Sequence, residues 1–267
     1  MKTEYVKCNL CKKDNTRRFI KKDDATIVKC QNCGLIYVNP RLTQESLSRL
    51  YNENKISPVP YFKENKEEDK KTFNERLKLI EKYTNKRILL DVGCNIGTLL
   101  EVAQKRGWNA QGIDINKEAI EEAKKNNLNV ECTTIENIKE MFDVIIMNDF
   151  IEHVSDPNDT IKRAKALLKE QGLLFIVTPD IDTITFKILQ KHWFHLKPKE
   201  HIYYFTKETI TKMLKNNGFT LIERRYRGRY RNISTILEKG FRIKTKLNAI
   251  NIKLNTLDEL CIIARKQ

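Results

Sequence analysis

From residue 87 onward, short runs of apolar residues alternate with longer segments in which apolar residues recur every three or four positions. The short runs predict buried strands, and the longer segments predict amphipathic helices. The predicted strands are 87–92, 110–114, 130–132, 142–147, 173–177, 219–223 and 260–264. The predicted helices are 98–106, 117–126, 159–169 and 207–216. Seven strands, with helices between most of the first five, predict an α/β fold with a doubly wound, mostly parallel sheet.

The first 84 residues show a different pattern. Short apolar runs at 27–30 and 35–38 predict a small sheet, which Asn39 and Pro40 end. The other elements predicted here are a short helix at 43–51, a linker at 57–60 and an amphipathic helix at 66–84. We therefore divide the chain into a module at 1–40, a helical linker or lid at 41–84 and a larger domain at 85–267.

Four of the seven cysteines form two C-x-x-C pairs, Cys8 with Cys11 and Cys30 with Cys33. Two thiolates two residues apart can bind one ion from a tight turn, and two such turns complete a tetrahedral four-thiolate site. The spacing predicts a structural zinc ion in a zinc-ribbon module. The alternative is a pair of surface disulfides or a set of reduced core cysteines.

Residues 1–7 carry no apolar run of the kind found in a secretory signal peptide. This favours the reducing cytosol, where cysteine pairs bind metal more often than they form disulfides. No apolar stretch approaches the ~20 residues that a membrane-spanning helix needs. We therefore expect a soluble, cytoplasmic protein.

Positive charge is concentrated toward the C-terminal end of the chain. The formal net charge is +15, and residues 223–253 hold ten Lys and Arg residues against two Glu residues, which is +8 of that total. Such a cluster would attract phosphate or carboxylate groups, although a solvated basic strand end and loop is an equally good interpretation. Five of the ten are Arg224, Arg225, Arg227, Arg229 and Arg231.

A glycine-bearing loop, residues 91–97, follows the first strand of the larger domain. A dinucleotide-binding G-x-G-x-x-G pattern starting at Gly93 would need glycine at positions 95 and 98, which hold Asn and Thr. The pattern acidic-x-Gly-x-Gly-x-Gly matches at Asp91, Gly93 and Gly97 and differs only at Asn95. This spacing resembles motif I of the class I S-adenosylmethionine-dependent methyltransferases. Asp114, which ends the second strand, stands where those enzymes place the carboxylate that binds both ribose hydroxyls.

The resemblance covers about residues 85–223. Residues 142–154 resemble the fourth-strand motif of that superfamily, and residues 172–179 resemble its fifth strand. It implies a Rossmann-like methyltransferase fold that binds S-adenosylmethionine, with the last strand antiparallel. The cofactor positions that it implies are Asp91, Gly93 and Gly97 at the methionine end, Asp114 and Ile115 at the ribose and adenine, Ile135 at the adenine edge and Asn148 at the sulfonium. Asp149 and Glu152 could simply cap the next helix.

All four histidines lie between residues 153 and 201. The segment from Glu200-His201 to Phe205 resembles the EH-x-x-x-F segment of methyltransferases that act on sugars and other small metabolites. Among those, enzymes with a four-cysteine zinc module use a neighbouring Glu and His at the substrate. By that resemblance, Glu200 and His201 are the catalytic residues, and Glu200 orients His201 as the general base for a hydroxyl acceptor. Alternatively, His201 is a packed lid residue, or it binds a metal ion with His192 and His195.

The function predicted from the resemblance and the charge is O-methylation of a small anionic metabolite. We expect a phosphorylated or nucleotide-linked sugar of surface-polysaccharide or secondary-metabolite biosynthesis, bound by Tyr203, Arg225 and Arg227. One alternative is an RNA methyltransferase whose zinc module and basic segment bind backbone phosphates. Others are C- or N-methylation of a nucleotide sugar, and a binding module without catalytic activity.

Overall fold

A computed structural model of the protein describes residues 2–43, 45–46, 59–233 and 251–267. The N-terminal strands are β1 (Thr3–Glu4), β2 (Thr16–Lys22), β3 (Ala25–Cys30), β4 (Ile36–Val38) and β5 (Arg41–Leu42). The helices are α1 (Val59–Glu64), α2 (Lys66–Ile80), α3 (Thr98–Lys105), α4 (Lys117–Lys125), α5 (Pro157–Leu167), α6 (Ile184–Leu189) and α7 (Lys207–Asn216). The remaining strands are β6 (Ile88–Val92), β7 (Asn109–Asp114), β8 (Val130–Cys132), β9 (Phe142–Asn148), β10 (Leu168–Pro179), β11 (Tyr203–Tyr204), β12 (Phe219–Tyr226), β13 (Arg229–Asn232), β14 (Asn251–Leu254) and β15 (Glu259–Lys266).

A seven-stranded sheet forms the centre of the protein, in the order β12-β15-β10-β9-β6-β7-β8. Its strands pair in parallel except for β15, which is antiparallel to both β10 and β12. This arrangement confirms the predicted doubly wound α/β fold with an antiparallel last strand. Strands β7 and β8 lie on one side of β6, and β9 and β10 lie on its other side. The strand order therefore reverses between β6 and β9, and ligands of such sheets bind beyond the carboxyl ends of the strands at this point.

Helices cover both faces of this sheet, so its central strands are buried on both sides. In β9, six of the seven residues are buried. Ile145 and Met147 pack into one apolar cluster, while Val144 and Ile146 pack into another. This two-sided burial explains why the strand is a continuous apolar run rather than an alternating one.

Helix α2 has an apolar face and a polar face that are both buried. Leu77 and Ile80 pack into the core, as predicted from their spacing. The polar face meets the start of β13: the backbone N–H of Tyr230 donates to Thr72 Oγ1 over 3.0 Å, and Arg231 Nη1 donates to Asp69 Oδ1 over 3.2 Å. This helix is therefore held over the carboxyl ends of the strands by polar contacts.

Several predicted boundaries differ from the structure. The helix predicted at 66–84 ends at Ile80, and the strand predicted at 173–177 spans Leu168–Pro179. Helix α1 begins at Val59, within the predicted linker at 57–60, because a proline such as Pro60 is well tolerated in the first turn of a helix. Helix α5 ends at Leu167, two residues before the predicted end, because the extended Leu168 already pairs with Phe142 of β9. The predicted helix at 43–51 lies mostly outside the described residues. So do four residues of the basic segment, Lys239, Arg242, Lys244 and Lys246.

A second sheet joins the N-terminal module to the larger domain. Its order is β11-β4-β3-β2, and β11 comes from the segment after His201. Tyr203 pairs with Tyr37, and the backbone N–H of Val38 donates to the carbonyl of Ile202 over 2.9 Å. The module is thus attached by main-chain hydrogen bonds to the residues beside His201. Among the described residues, no helix has both the length and the apolar character needed to cross a bilayer.

Candidate active site

The loop after β6 takes the left-handed conformation at three positions. Gly93 and Gly97 have φ of 78° and 77°, and Asn95 has φ of 50°. A Cβ at Gly93 would lie 2.6 Å from Phe150 Cδ2, so glycine is required there by space as well as by conformation. Asparagine is among the side chains that tolerate this region best. The single departure from the acidic-x-Gly-x-Gly-x-Gly pattern, Asn95, therefore keeps the backbone shape that the middle glycine would give.

Asp114 connects this loop to β7. Its Oδ2 accepts from the backbone N–H of Asn95 over 2.9 Å, and its Oδ1 accepts from that of Asn116 over 2.8 Å. Burial raises the pKa of Asp114, and these two donors oppose the shift. Burial, together with the nearby Asp114, raises the pKa of Asp91 to about 7. A buried and a partly buried carboxyl group thus lie at one loop, where a bound cation or hydroxyl donors would compensate their charge.

The other predicted cofactor residues lie along the same edge of the sheet. Ile115 follows β7 and is 51% exposed, whereas Ile135 is buried in a short 3-10 helix after β8. Asn148 ends β9, and its Oδ1 accepts from Arg76 Nη1 over 3.0 Å. All seven predicted cofactor residues are thus found at the carboxyl ends of β6, β7 and β9 or in the segments that follow β6, β7 and β8.

Three histidines cluster just beyond β9, and two of them, His153 and His201, lie beside the buried Glu152. The ring centroid of His201 lies 4.6 Å from that of His153 and 6.3 Å from that of His195. Glu152 is 1% exposed, and its Oε2 accepts from Thr178 Oγ1 over 3.0 Å. Its Oε1 has no hydrogen-bond partner in the described part of the chain and lies 4.0 Å from His153 Nε2. One ligand atom each from Glu152, His153 and His201 lies within 4.8 Å of the others. Backbone hydrogen bonds also hold the two segments together, because the carbonyl of Glu152 accepts from the N–H groups of residues 202 and 203.

The electrostatics of this cluster favour a neutral imidazole. Burial lowers the pKa of His201 well below its ordinary value, and the neighbouring His153 and His195 lower it further. Burial and the Asp149 carboxylate raise the pKa of Glu152. His201 therefore has a free lone pair at neutral pH. A glutamate and two imidazoles this close are also a donor set that a divalent metal ion could take by displacing the carboxyl proton.

Residues 61–224 match the family described as "Methyltransferase domain". The chain belongs to this family. One relative is the ubiquinone biosynthesis O-methyltransferase of Coxiella burnetii strain RSA 331, 30% identical over 165 residues, or 55% of this chain and 70% of the relative. The enzyme of the same name from Actinobacillus pleuropneumoniae serotype 7 is 39% identical over 104 residues, which cover 34% of this chain and 44% of the relative.

Two solved methyltransferases share the fold. A SAM-dependent methyltransferase from Archaeoglobus fulgidus has a TM-score of 0.56 at 20% identity, covering 77% of this chain and 99% of its own. Magnesium protoporphyrin IX methyltransferase from Synechocystis PCC 6803, with bound SAH, has a TM-score of 0.54 at 16% identity, covering 82% and 92%. The protein is an S-adenosylmethionine-dependent methyltransferase with the Rossmann-like fold of this family.

Several predicted acceptor residues of the methyltransferase are not beside His201. The Glu200 carboxylate is half exposed, 3.7 Å from Lys197 Nζ, and only the Glu200 carbonyl reaches the cluster, where it accepts from His153 Nδ1 over 3.0 Å. Tyr203 is buried, and its hydroxyl donates to the Ser155 carbonyl. The predicted contact between the Glu200 side chain and His201 is therefore absent, because the chain turns between them and points Glu200 to solvent.

The arginine cluster divides in two. Arg225 is 73% exposed, and both Arg225 and Arg227 form ion pairs with Glu223, at 3.3 and 2.7 Å. Arg229 is the member that reaches the end of β9, where its guanidinium contacts both Asp149 and Glu259. Burial alone would raise the pKa of Asp149, but the Arg229 charge brings it below its ordinary value.

The sequence analysis gave Arg76 no role. It named Glu152 only as a helix cap, His195 only as an alternative metal ligand and Arg229 only as one member of the arginine cluster. Glu152 carried a signal, since it directly precedes His153 in the fourth-strand motif, but helix capping explained it equally well. Nothing in the sequence separates Arg229 from its four neighbours or joins Arg76 to Asn148, because those contacts depend on how α2 and β13 pack against β9.

The four N-terminal cysteines converge in two similar turns. The Sγ atoms of Cys8 and Cys33 are 3.4 Å apart, and those of Cys11 and Cys30 are 3.5 Å apart. In each turn, the carbonyl of the first cysteine accepts from the N–H four residues on, over 2.8 and 2.9 Å. Zinc–sulfur bonds of about 2.3 Å in a tetrahedron place sulfur atoms roughly 3.8 Å apart, so these residues fit a tetrahedral metal ion. Disulfide sulfurs would be about 2.05 Å apart, much closer than these.

Proposed function

We propose that this methyltransferase methylates an oxygen of a small anionic metabolite, a phosphorylated or nucleotide-linked sugar. The observation that carries this proposal is the buried, neutral His201 beside the unpartnered Glu152 oxygen, at the edge where the cofactor loop ends. The enzymes from Coxiella and Actinobacillus, which are named as O-methyltransferases, support the choice of oxygen. In this proposal the reaction belongs to surface-polysaccharide or secondary-metabolite biosynthesis.

Bound S-adenosylmethionine would supply the electrophilic methyl group. In this proposal, Asp91, Gly93 and Gly97 hold its methionine end, and Asp114 binds the ribose hydroxyls. Ile115 and Ile135 enclose the adenine, and Asn148 lies at the sulfonium. The raised pKa of Asp91, about 7, fits a position beside the positively charged end of the cofactor, which would restore the carboxylate.

His201 acts on the acceptor. Its neutral imidazole takes the proton of the acceptor hydroxyl while the oxygen–methyl bond forms and the sulfur–methyl bond breaks. Glu152 is the carboxyl group beside it, and its unpartnered oxygen can stabilise the imidazolium that results. In this respect we place Glu152 where the sequence suggested Glu200. Arg225 and Arg227 are proposed to bind the acceptor's phosphate at a distance from His201, since both now pair with Glu223. Tyr203 fixes the segment after His201 through the β11–β4 pairing.

A turnover screen with deuterium-labelled S-adenosylmethionine tests the reaction class. The candidates are nucleotide sugars, sugar phosphates and phenolic acids, and mass spectrometry with NMR locates the transferred methyl group. We expect an O-methylated sugar product that forms without an added divalent ion, in protein purified without chelator. A requirement for an added divalent ion, in protein whose four N-terminal cysteines keep their zinc, would indicate a metal at Glu152, His153 and His201 instead. Methylation of RNA, with retention that falls steeply with salt, would replace the proposal.

Replacing Asp114 with alanine should weaken binding of both S-adenosylmethionine and its demethylated product. The expected loss is about 1.5–3 kcal/mol, because hydrogen bonds to a charged acceptor disappear. Calorimetry measures it. Asp143→Ala is the matched control. Asp143 is buried and also accepts from a backbone N–H, that of Ile88, but it lies at the start of β9, away from the carboxyl ends of the strands. Equal losses in both variants would show that the effect is one of stability and not of ribose binding.

A further inference from the structure

Asn148 has a side-chain amide whose orientation is set by Arg76. Arg76 Nη1 approaches the amide at 3.0 Å. A guanidinium has only donors, so the atom that faces it must be the amide oxygen. The amide nitrogen must then point away from Arg76. Asn148 therefore presents a donor, and no acceptor, on its other side.

Arg76 is well placed to impose this orientation. Its side chain is 3% exposed, and its second Nη atom donates to Glu259 Oε2 over 3.3 Å. Its guanidinium carbon lies 5.7 Å from the centroid of the Phe73 ring on the same helix. Glu259 is held in turn by Arg229, which also binds Asp149, the residue after Asn148. The guanidinium is thus fixed from several sides.

The amide nitrogen of Asn148 is buried and has no hydrogen-bond partner in the described part of the chain. Buried donors in folded proteins are nearly always paired, so an unpaired one is a sign of a missing acceptor. Asn148 ends β9 at the point where the strand order reverses, which is where this fold binds ligands. A ligand atom with a lone pair would supply the acceptor that the Asn148 amide nitrogen lacks.

We infer that Arg76 is a positioning residue that makes the site select an oxygen nucleophile over a nitrogen nucleophile. A hydroxyl oxygen has two lone pairs, so one can attack the methyl group while the other accepts from Asn148. A neutral amine has a single lone pair, which the attack consumes, and its N–H groups would face the N–H groups of Asn148. This inference rests on the proposed methyl transfer at this edge and adds to it a reason for O-methylation.

The test uses the full chain with Arg76→Gln, Arg76→Lys and Asn148→Asp. Arg106→Gln is the matched control, because Arg106 also donates to an asparagine amide oxygen and a glutamate, Asn74 over 2.9 Å and Glu81 over 3.1 Å, but away from β9. Turnover is compared within two matched pairs: UDP-glucose with UDP-glucosamine, and 3,4-dihydroxybenzoate with 3-amino-4-hydroxybenzoate. Thermal melting shows which variants fold.

We expect the wild type to prefer a hydroxyl at the varied position by ~10²-fold or more. Arg76→Gln should lower that preference at least ~10-fold, because the amide can then turn its oxygen to the acceptor, while Arg76→Lys and Arg106→Gln keep it. Asn148→Asp should favour the amine. Two pairs are used so that the two proposals can fail separately. If neither UDP-sugar is methylated, the proposed sugar substrate is wrong, but the benzoate pair still measures the preference for oxygen over nitrogen. An unchanged preference in folded Arg76→Gln, or wild-type transfer to the amine, would overturn the inference.

A second readout requires no acceptor. In protein labelled with ¹⁵N-asparagine, the Asn148 side-chain signals are identified by their loss in Asn148→Asp. They should move in Arg76→Gln and stay in place in Arg106→Gln. If they do not move in Arg76→Gln, Arg76 does not set the orientation of the amide and the inference fails.

Discussion

Replacing His201 with alanine should lower turnover by ~10²–10⁴ while leaving S-adenosylmethionine affinity nearly intact. His201 lies in the cluster with Glu152, His153 and His195, whereas the cofactor loop follows β6 and is held by Asp114. Removing the imidazole therefore removes the proposed proton acceptor without disturbing that loop. Turnover with the acceptor from the screen and calorimetry with the cofactor measure the two effects.

His192→Ala is the control for this prediction, because His192 is exposed in the short 3-10 helix after α6. It should leave both quantities unchanged. Added imidazole should partly restore turnover to His201→Ala, which a residue with a packing role alone would not allow. If turnover of folded His201→Ala matches that of the wild type, His201 is a packed residue and the acceptor needs no base.

The pH dependence gives an independent check. A histidine with a lowered pKa stays neutral, and therefore active as a base, below its ordinary titration range. Turnover should consequently persist as the pH falls through about 6.5 and decline only at lower pH, when the folded enzyme finally binds the proton. The same sign applies to stability: below about 6.5 the unfolded chain binds protons that the buried histidine does not, so acid should destabilise the fold.

The sequence predicted the sheet and the cofactor loop well because both depend on local patterns. Two-sided burial makes β9 a continuous apolar run, and left-handed backbone at Gly93 and Gly97 requires glycine at a fixed spacing. Asn95 kept that backbone shape, so the one mismatch in the motif did not weaken the prediction. Local chemistry of this kind is visible without knowledge of the fold.

The acceptor side was harder to predict because its contacts join distant segments. Glu200 is adjacent to His201 in sequence, yet Glu152, 49 positions away, is the carboxyl group beside it. The same is true of Arg229, which reaches Asp149 through the turn between β12 and β13, while Arg225 and Arg227 pair with Glu223. Sequence proximity showed which segments form the site but not which side chains meet.

Replacing Cys8 with serine should remove a zinc ion, destabilise the module at residues 1–40 and reduce turnover. We propose one tightly bound zinc ion per chain on Cys8, Cys11, Cys30 and Cys33, in a closed four-thiolate site with a structural role. Because binding of such an ion is coupled to folding, its loss should cost at least ~4 kcal/mol and lower the melting temperature by roughly 8 °C or more. Metal analysis and thermal melting measure these effects.

Because of where the N-terminal module lies, loss of its zinc should affect turnover but not cofactor binding. Strand β4 pairs with β11, and Val38 donates to the carbonyl of Ile202, beside His201. A loosened module should therefore displace His201 and reduce turnover, while the β6 loop, which it does not hold, still binds S-adenosylmethionine. Cys132→Ser, at an exposed cysteine outside the cluster, is the control and should keep zinc, stability and turnover. The prediction is wrong if wild-type protein purified without chelator contains no zinc and is no more stable than Cys8→Ser. The four thiols would then pack together without a metal.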